Sequence, residues 1–243
     1  MSHNNYLNNN VYHKKSSYIE LIKKVLTDLI HEPTEARIDG SDWPKNGFTM
    51  IGIERLNNIQ FCFEALMRDN IPGDFLEAGV WRGGASIFMK ALLDEYGSNN
   101  RSVWLADSFQ GLPPPNPEYS QDDGDTHYTL QELAISVDQV KENFSRFGLL
   151  DEKVLFIEGW FHETLPRCKV QELALLRLDG DMYESTIVTL ESLYDRVNEG
   201  GFVIVDDYGY MKSCCKAVHD FLDSRSLNPV LKKIDWTGVY WRK

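Results

Sequence analysis

The stretch LALLRLDGDMYEST, residues 173–186, decides the fold predicted for this chain. It is apolar for the length of a strand and then carries two aspartates, Asp179 and Asp181, where a helix-like segment begins. Further along, GGFVIVDDYG repeats the pattern with Asp206 and Asp207. Short apolar runs bounded by turn residues are typical of buried strands. The two stretches therefore predict two strands, joined by a helix, that both end in carboxylates.

The same alternation extends on both sides of this stretch. Strand-like segments are predicted at 73–80, 101–109, 153–160, 173–179 and 202–207. Helical spacing of apolar residues predicts helices at 17–30, 49–69, 85–97, 129–148, 184–201 and 214–226. Strands that alternate with helices favour an α/β fold, a doubly wound and mostly parallel sheet with helices on both faces. The last residues, 228–243, predict a hairpin that adds antiparallel pairing near one edge.

End signals accompany several of these segments. Thr49 is positioned to cap the helix that follows it, because a threonine hydroxyl accepts from the first free N–H groups. The pair Gly200-Gly201 is a typical helix C-terminal stop. The hairpin turn is expected near Asp235–Gly238.

The chain has 243 residues, which suits one large α/β domain with appendages. We divide it into an Asn-rich N-terminal arm and helix at 1–48 and a main domain at 49–243. The net charge of −12 argues against nucleic acid and anionic membranes as partners, because both attract basic surfaces. The sequence has no apolar run near the ~20 residues that span a bilayer and no recognisable secretion signal. Its four cysteines lack metal or redox spacing, so we expect reduced thiols in a cytoplasmic protein.

A glycine-rich turn follows the first predicted strand, in LEAGVWRGGAS. Gly79, Gly83 and Gly84 allow the backbone to turn tightly and to approach a ligand, although tight packing alone also explains such a turn. The spacing differs from the dinucleotide fingerprint G-x-G-x-x-G, which disfavours NAD, and no Gly-Lys-Ser/Thr follows, which excludes a P-loop. Asp107 ends the second strand, where it either binds a ribose diol or serves as a cap or solvated carboxylate.

The aspartates of the opening stretches form the third motif. If their two strands are neighbours, Asp179, Asp206 and Asp207 meet at one edge of the sheet. Two like charges ~4 Å apart repel by about 4 kcal/mol at an effective dielectric near 20, so such a cluster requires a proton or a cation. Oxygen ligands indicate Mg²⁺, Mn²⁺ or Ca²⁺ rather than zinc. Alternatively, some of these aspartates cap helices, and Asp181 is the predicted cap.

Two conditions apply to this metal interpretation. Successive residues of a strand point to opposite faces, so joint ligation by Asp206 and Asp207 requires the strand to end there. The interpretation also fails if the carboxylates lie far apart or are neutralised by arginines and lysines.

The proline-rich segment 109–127 cannot form regular helix or central strand, and we predict a lid over the site rather than a disordered loop. His127 and His162 are weak candidates for catalysis. Trp81, Trp160 and Phe161 follow strand ends, where they either stack on an adenine or pack in the core.

Four motifs together resemble the macrocin O-methyltransferase family, which comprises class I S-adenosylmethionine-dependent sugar methyltransferases of macrolide and novobiocin type. They are PGDFLEAGVWRGGAS, DSFQGLPPP, LRLDGDMYEST and GGFVIVDDY, in this order along the chain. The resemblance covers 49–243. It implies a Rossmann-like sheet of seven strands and an enzyme that methylates a hydroxyl of a deoxysugar on a natural product. It also implies a homodimer or larger assembly.

The resemblance implies roles for individual residues. It implies a metal site for Mg²⁺ or Mn²⁺ at Asp179, Asp206 and Asp207, with Asp179 also the general base. The S-adenosylmethionine site that it implies consists of Thr49, Met50, Glu77, Gly79, Val80, Gly83, Ser86, Asp107, Ser108, Glu158, Gly159, Trp160 and Asp179. Two alternatives stay open: a phenol or catechol as the methyl acceptor, and a noncatalytic nucleoside-binding module.

Overall fold

The computed structural model describes residues 16–98 and 100–243, so the Asn-rich arm predicted at 1–16 lies outside the described residues except for Ser16. The helices are α1 (Ser17–Leu26), α2 (Glu35–Asp39), α3 (Ile53–Arg68), α4 (Gly84–Glu95), α5 (Val137–Arg146), α6 (Phe161–Thr164), α7 (Tyr183–Leu193) and α8 (Lys212–Ser224). The strands are β1 (Asp74–Ala78), β2 (Val103–Asp107), β3 (Val154–Glu158), β4 (Leu173–Leu178), β5 (Val197–Val205), β6 (Lys232–Lys233) and β7 (Val239–Arg242).

These strands form one seven-stranded sheet in the order β3-β2-β1-β4-β5-β7-β6. The first five strands in that order are parallel, whereas β7 runs antiparallel to β5 and pairs with β6 in the terminal hairpin. The predicted mostly parallel sheet with an antiparallel C-terminal hairpin is therefore confirmed. All of β4 is buried, as its nearly continuous apolar sequence requires for a strand covered on both faces.

Helices cover both faces of the sheet and enclose two hydrophobic clusters. One cluster contains residues of α1, α3, α4 and α5, and the other contains residues of α7 and α8. Ile19, Ile22 and Leu26 of α1 belong to the first cluster, so the N-terminal helix shares the core of the main domain. The four cysteines are free. Among the helices in the described part of the chain, none combines the length and apolarity that crossing a membrane requires.

The predicted start of α3 is wrong. The helix begins at Ile53 after Gly52, and Thr49 makes no cap but lies buried before it. A Cβ at Gly52 would collide with the backbone carbonyl of Ile38, so the close approach of α2 dictates a glycine there. The helix start is thus set by packing rather than by a capping side chain.

The predicted end of α7 is also wrong. The helix stops at Leu193, and Gly200 and Gly201 lie inside β5, where the pairing with β4 shifts register between Leu173 and Leu175. Gly200 has φ +83°, a conformation that bulges favour. The glycine pair therefore marks an irregularity in the strand instead of a helix end.

The irregular segment after β2 is longer than predicted. Residues 109–136, which we term the lid segment, contain three short 3₁₀ turns, and α5 begins only at Val137. The hydroxyl of Ser136 accepts a hydrogen bond from the Gln139 backbone N–H and caps α5 there. The predicted helical residues before this cap belong to the lid segment.

Candidate active site

The carboxyl ends of four parallel strands lie level with one another. Ala106, Ala78, Leu178 and Val205 are register partners across β2, β1, β4 and β5. The next residue along each strand is accordingly Asp107, Gly79, Asp179 or Asp206. The register of the sheet thus brings the glycine turn and the separate acidic motifs to one rim.

A cavity of about 350 Å³ opens above this rim. Predicted site residues that line it are Thr49, Met50, Glu77, Gly79, Val80, Asp107, Ser108, Trp160, Asp179, Asp206 and Asp207. Trp81 and Phe161 line it as well. The remaining predicted residues, Gly83, Ser86, Glu158 and Gly159, are not in the cavity wall, and Glu158 is exposed at the end of β3.

The glycine turn brings the chain after β1 against the chain after β4. Gly79 has φ +93°, and a Cβ there would collide with the backbone carbonyl of Asp179. Gly83 has φ +90° and precedes α4. The predicted need for glycine is therefore explained at Gly79 by backbone contact with the acidic turn.

Asp107 holds this turn in place. Its Oδ2 accepts a hydrogen bond from the Val80 N–H at 2.7 Å, and its Oδ1 accepts one from the Phe109 N–H at 2.7 Å. Burial raises the pKa of Asp107, and these backbone hydrogen bonds oppose that rise. The Ser108 hydroxyl, 3.5 Å from Oδ1, and the Trp81 N–H also donate to Asp107, and the side chain still borders the cavity.

Glu77 supports the rim from below. It is 2% exposed, its Oε1 accepts from Arg177 at 2.6 Å, and its Oε2 accepts from the Ser86 hydroxyl. Burial raises the pKa of Glu77 to about 7, although the neighbouring Arg177 opposes that rise. Ser86 is fully buried, so it acts on the site by orienting Glu77.

Asp179, Asp206 and Asp207 form the acid cluster. One oxygen from each carboxylate lies within 4.8 Å of the others. Because β5 ends at Val205, Asp206 and Asp207 lie outside the strand. Their side chains therefore need not point to opposite faces of the sheet. The expectation that β4 and β5 are neighbours and bring these residues together is correct.

Two arginines pair with this cluster, which the sequence did not reveal. Arg177 donates to Asp179 Oδ2 at 2.7 Å and also to Asp206 Oδ1. Arg55 donates to Asp206 Oδ2 and lies 2.8 Å from Asp235. Asp206 is therefore neutralised on both oxygens, whereas Asp179 and Asp207 each keep an oxygen without such a partner. Arginines thus pair with two of the three carboxylates, with Asp179 on one oxygen and with Asp206 on both, so the condition against the metal site is partly met.

The remaining charge still favours a cation. Burial raises the pKa of Asp179. Burial also raises the pKa of Asp207 well above its usual range, and repulsion from Asp181, Asp179 and Asp206 raises it as well. Burial and then repulsion from Asp179 raise the pKa of Asp181 to about 7. A divalent cation relieves such repulsion, and an all-oxygen donor set suits a hard ion. The residues present therefore fit Mg²⁺ or Mn²⁺.

The predicted role of Asp181 as a helix cap is wrong. Its N–H donates to Asp207 Oδ2 at 3.1 Å, and α7 begins beyond it at Tyr183. The cap comes instead from Asp122 of the lid segment, whose oxygens accept from the N–H groups of Tyr183 and Glu184. Sequence reasoning missed Asp122 because a cap supplied from 61 residues away leaves no local signal.

The lid segment also contributes to the cavity wall. His127 lines the cavity, and its Nδ1 lies 2.7 Å from Asp125 Oδ2. His162 of α6, outside the lid segment, also lines the cavity, and its Nδ1 lies 3.5 Å from Glu184 Oε1. The pairing with Asp125 fixes the ring of His127 so that Nε2 is its unpaired nitrogen.

Exposed aromatic side chains surround the mouth of the cavity. Trp43, Tyr210 and Trp236 line it, and they are 49%, 63% and 43% exposed. The rings of Tyr210 and Trp236 meet edge to face at 5.7 Å, and Trp236 Nε1 donates to the Asp39 carbonyl at 3.0 Å. Large apolar surfaces that stay exposed around a cavity are typical of ligand contact.

Comparison with known proteins identifies the family of this chain. The model described as Macrocin-O-methyltransferase (TylF) matches residues 7–243. The 8-demethyl-8-(2,3-dimethoxy-alpha-L-rhamnosyl)-tetracenomycin-C 4'-O-methyltransferase of Streptomyces olivaceus is 45% identical over 240 residues, covering 93% of this chain and 92% of that protein. The mycinamicin III 3''-O-methyltransferase of Micromonospora griseorubida is 41% identical over 244 residues, covering 93% of this chain and 96% of that protein.

A solved structure agrees with these matches. The O-methyltransferase NovP has a TM-score of 0.90 and 44% identity, covering 93% of this chain and 98% of NovP. The resemblance drawn from the four motifs and the prediction of an O-methyltransferase are both confirmed. The chain belongs to the macrocin-O-methyltransferase (TylF) family.

Proposed function

We propose that this enzyme transfers the methyl group of S-adenosylmethionine to a sugar hydroxyl of a glycosylated natural product and that it requires Mg²⁺ or Mn²⁺. The observation that carries the proposal is the convergence of Asp179, Asp206 and Asp207 in the cavity that also contains the glycine turn. The name of the Streptomyces olivaceus relative, which includes a rhamnosyl group, supports a sugar acceptor.

The methyl donor fits the side of the cavity formed after β1 and β2. Gly79 keeps this turn free of a side chain, and Asp107 borders the cavity beside it, where the carboxylate can accept from the hydroxyls of a ribose. Trp81 and Trp160 line the same cavity and offer flat surfaces for an adenine. S-adenosylmethionine, when bound, supplies a methyl group already activated by its sulfonium.

The acceptor fits the side of the cavity formed after β4 and β5. Asp179 has a side chain that is 31% exposed, whereas that of Asp206 is 4% exposed. Of these two carboxylates, Asp179 is therefore the one that can reach a substrate proton, and Arg177 fixes its orientation through Oδ2. A divalent cation held by Asp179, Asp206 and Asp207 would lower the pKa of an adjoining hydroxyl.

The mouth of the cavity suits the aglycone. Trp43, Tyr210 and Trp236 present apolar surface to a group that projects from the sugar. Within the described part of the chain, the arginine lining the cavity is Arg55, which pairs with Asp206 and Asp235, and no lysine lines it. A neutral glycoside therefore suits the cavity better than a sugar that carries a diphosphate.

Transfer of a radiolabelled methyl group from S-adenosylmethionine tests the proposal. The acceptor panel contains glycosides with large apolar aglycones, their free aglycones, and nucleoside diphosphate sugars. Labelling confined to the sugar of the glycosides is expected. Labelling of phenolic aglycones instead would contradict the sugar assignment, and cofactor binding without transfer to any acceptor would favour the noncatalytic module.

We also propose that the protein forms a homodimer or a larger assembly. Tyr18 and Leu21 of α1 are 40% and 53% exposed, which leaves apolar surface available for association. Sedimentation equilibrium tests it: a single species at the monomer mass of 28.0 kDa at micromolar concentration would exclude a stable assembly.

A further inference from the structure

The first turn of α7 is capped by a side chain from the lid segment. Asp122 Oδ1 accepts from the Tyr183 N–H at 2.7 Å, and Oδ2 accepts from the Glu184 N–H at 3.0 Å. The local N-cap residue, Met182, supplies no side-chain hydrogen bond. Asp122 is 2% exposed, so its carboxylate is well shielded and its negative charge favours the positive end of the helix.

Other contacts join the lid segment to the same turn of α7. Asn116 Nδ2 donates to Glu184 Oε1 at 3.1 Å, and the rings of Tyr119 and Tyr183 lie 5.7 Å apart. The lid segment therefore holds the start of α7 through a buried cap, an amide and an aromatic pair. Further along, the same segment lines the cavity with His127, Leu130 and Leu133.

The turn that precedes α7 carries the acid cluster and needs support from outside. Asp181 has φ +57°, a left-handed conformation that costs free energy in a residue other than glycine. Its N–H donates to Asp207, and the Asp179 N–H donates to the Ala78 carbonyl at 2.8 Å. The turn is thus fixed at β1, at Asp207 and at the start of α7. Of these supports, the cap on α7 is the one that depends on the lid segment.

We propose that Asp122 is a positioning residue that couples closure of the lid segment to assembly of the acid cluster. This inference rests on the proposed function, since it assigns the cluster a divalent cation. With Asp122 in place, the start of α7 holds Asp179 and Asp207 at the spacing that a cation requires. By reciprocity, a cation that binds the cluster also favours the closed lid segment.

Two measurements on the full-length protein test this coupling. Calorimetry with MnCl₂ alone gives the affinity of the cluster, and limited proteolysis gives the rate of cleavage within the lid segment with and without MnCl₂. The variants are Asp122→Ala, which removes both acceptors, and Asp122→Asn, which keeps one. Asp123→Asn is the matched control, because Asp123 is the next residue and its side chain is exposed.

We expect Asp122→Ala to weaken Mn²⁺ binding about fivefold, which corresponds to the ~1 kcal/mol that a lost helix cap typically costs, and Asp122→Asn to weaken it less. Cleavage within the lid segment is expected to accelerate in both variants, and MnCl₂ is expected to protect them less than the wild type. Asn116→Ala, which leaves the cap intact, is expected to shift both readouts in the same direction by a smaller factor.

The outcomes separate this inference from the proposed function. Mn²⁺ affinity within twofold of the wild type in Asp122→Ala, with unchanged cleavage, would overturn the inference while leaving metal dependence in place. A wild-type protein that binds no Mn²⁺ would contradict the metal requirement and the coupling together. Should Asp122→Ala fail to fold, Asp122→Asn and Asn116→Ala decide the question.

Discussion

Glu77 and Arg177 are register partners on the neighbouring strands β1 and β4, and their side chains form an ion pair at 2.6 Å. Both are nearly inaccessible to solvent, at 2% and 1% exposure. Arg177 also donates to Asp179 and Asp206, so one guanidinium joins the end of β1, just before the glycine turn, to the acid cluster.

Replacing Arg177 with methionine is expected to lower the free energy of unfolding by about 3–5 kcal/mol, because a buried carboxylate is left without its partner. Urea unfolding followed by circular dichroism measures the loss. The double variant Glu77→Gln/Arg177→Met should recover part of it. Equal losses in the single and double variants would show that the pair is not what stabilises the rim.

Glu77 predicts a specific pH dependence of stability. Its pKa is raised from 4.5 in the unfolded chain to about 7 in the folded protein by burial. Its contribution to stability is therefore complete below pH 4.5 and is lost as the pH rises through 7. Across this window the free energy of unfolding of the wild type should fall relative to Glu77→Gln, by at most about 1.4 kcal/mol per pH unit. Parallel curves in cation-free buffer would contradict the assignment.

The backbone contact at Gly79 predicts that Gly79→Ala disrupts the cofactor side of the cavity. An added Cβ collides with the Asp179 carbonyl, so the turn must move. Calorimetry with S-adenosylhomocysteine should show affinity reduced at least about tenfold. Gly97→Ala is the matched control, because Gly97 also has positive φ but nothing within 4 Å of its Cβ position, so it incurs only the conformational cost of about 1–2 kcal/mol. Equal affinities in both variants would argue against a donor site at this turn.

The exposed aromatic residues at the mouth of the cavity predict that removing one of them weakens binding of acceptors with a large aglycone selectively. Trp236→Ala is expected to raise KM about tenfold for a glycoside with a large apolar aglycone, since a buried aromatic contact contributes roughly 1.5–3 kcal/mol. The KM for the corresponding methyl glycoside should change little, and Trp236→Phe should retain most of the affinity. A uniform increase for both acceptors would assign Trp236 to support of the hairpin rather than to aglycone binding.

The order of the strands and of the longer helices followed from the sequence, because the buried strands are short apolar runs and these helices have apolar spacing. The helices α2 and α6 were not predicted, since segments of five and four residues are too short to show helical spacing. The acid cluster was predictable as well, since parallel neighbouring strands bring Asp179, Asp206 and Asp207 to one rim. The glycine turn was predictable because Gly79, Gly83 and Gly84 follow directly after a strand. The structure then explains Gly79 by its contact with a backbone carbonyl. These features depend on local pattern and on the geometry of a parallel sheet.

What the sequence did not reveal depends on contacts between distant segments. Arg55 comes from α3 and Asp122 from the lid segment, and neither has a local pattern that indicates its partner. Arg177 did carry a signal, because it is a charged residue inside an otherwise apolar strand, and such a residue needs a buried partner. The wrong boundaries have similar causes: Gly52 is required by packing against α2, and Gly200 by a bulge in β5.

The most direct test of metal-dependent methyl transfer is activity towards a glycoside acceptor after exhaustive chelation and dialysis. We predict that activity disappears, that MgCl₂ or MnCl₂ restores it, and that Asp179→Asn stays about 10²–10⁴-fold less active even when the cation is restored. Undiminished transfer in the chelated wild-type enzyme, or in Asp179→Asn, would contradict the role assigned to the acid cluster.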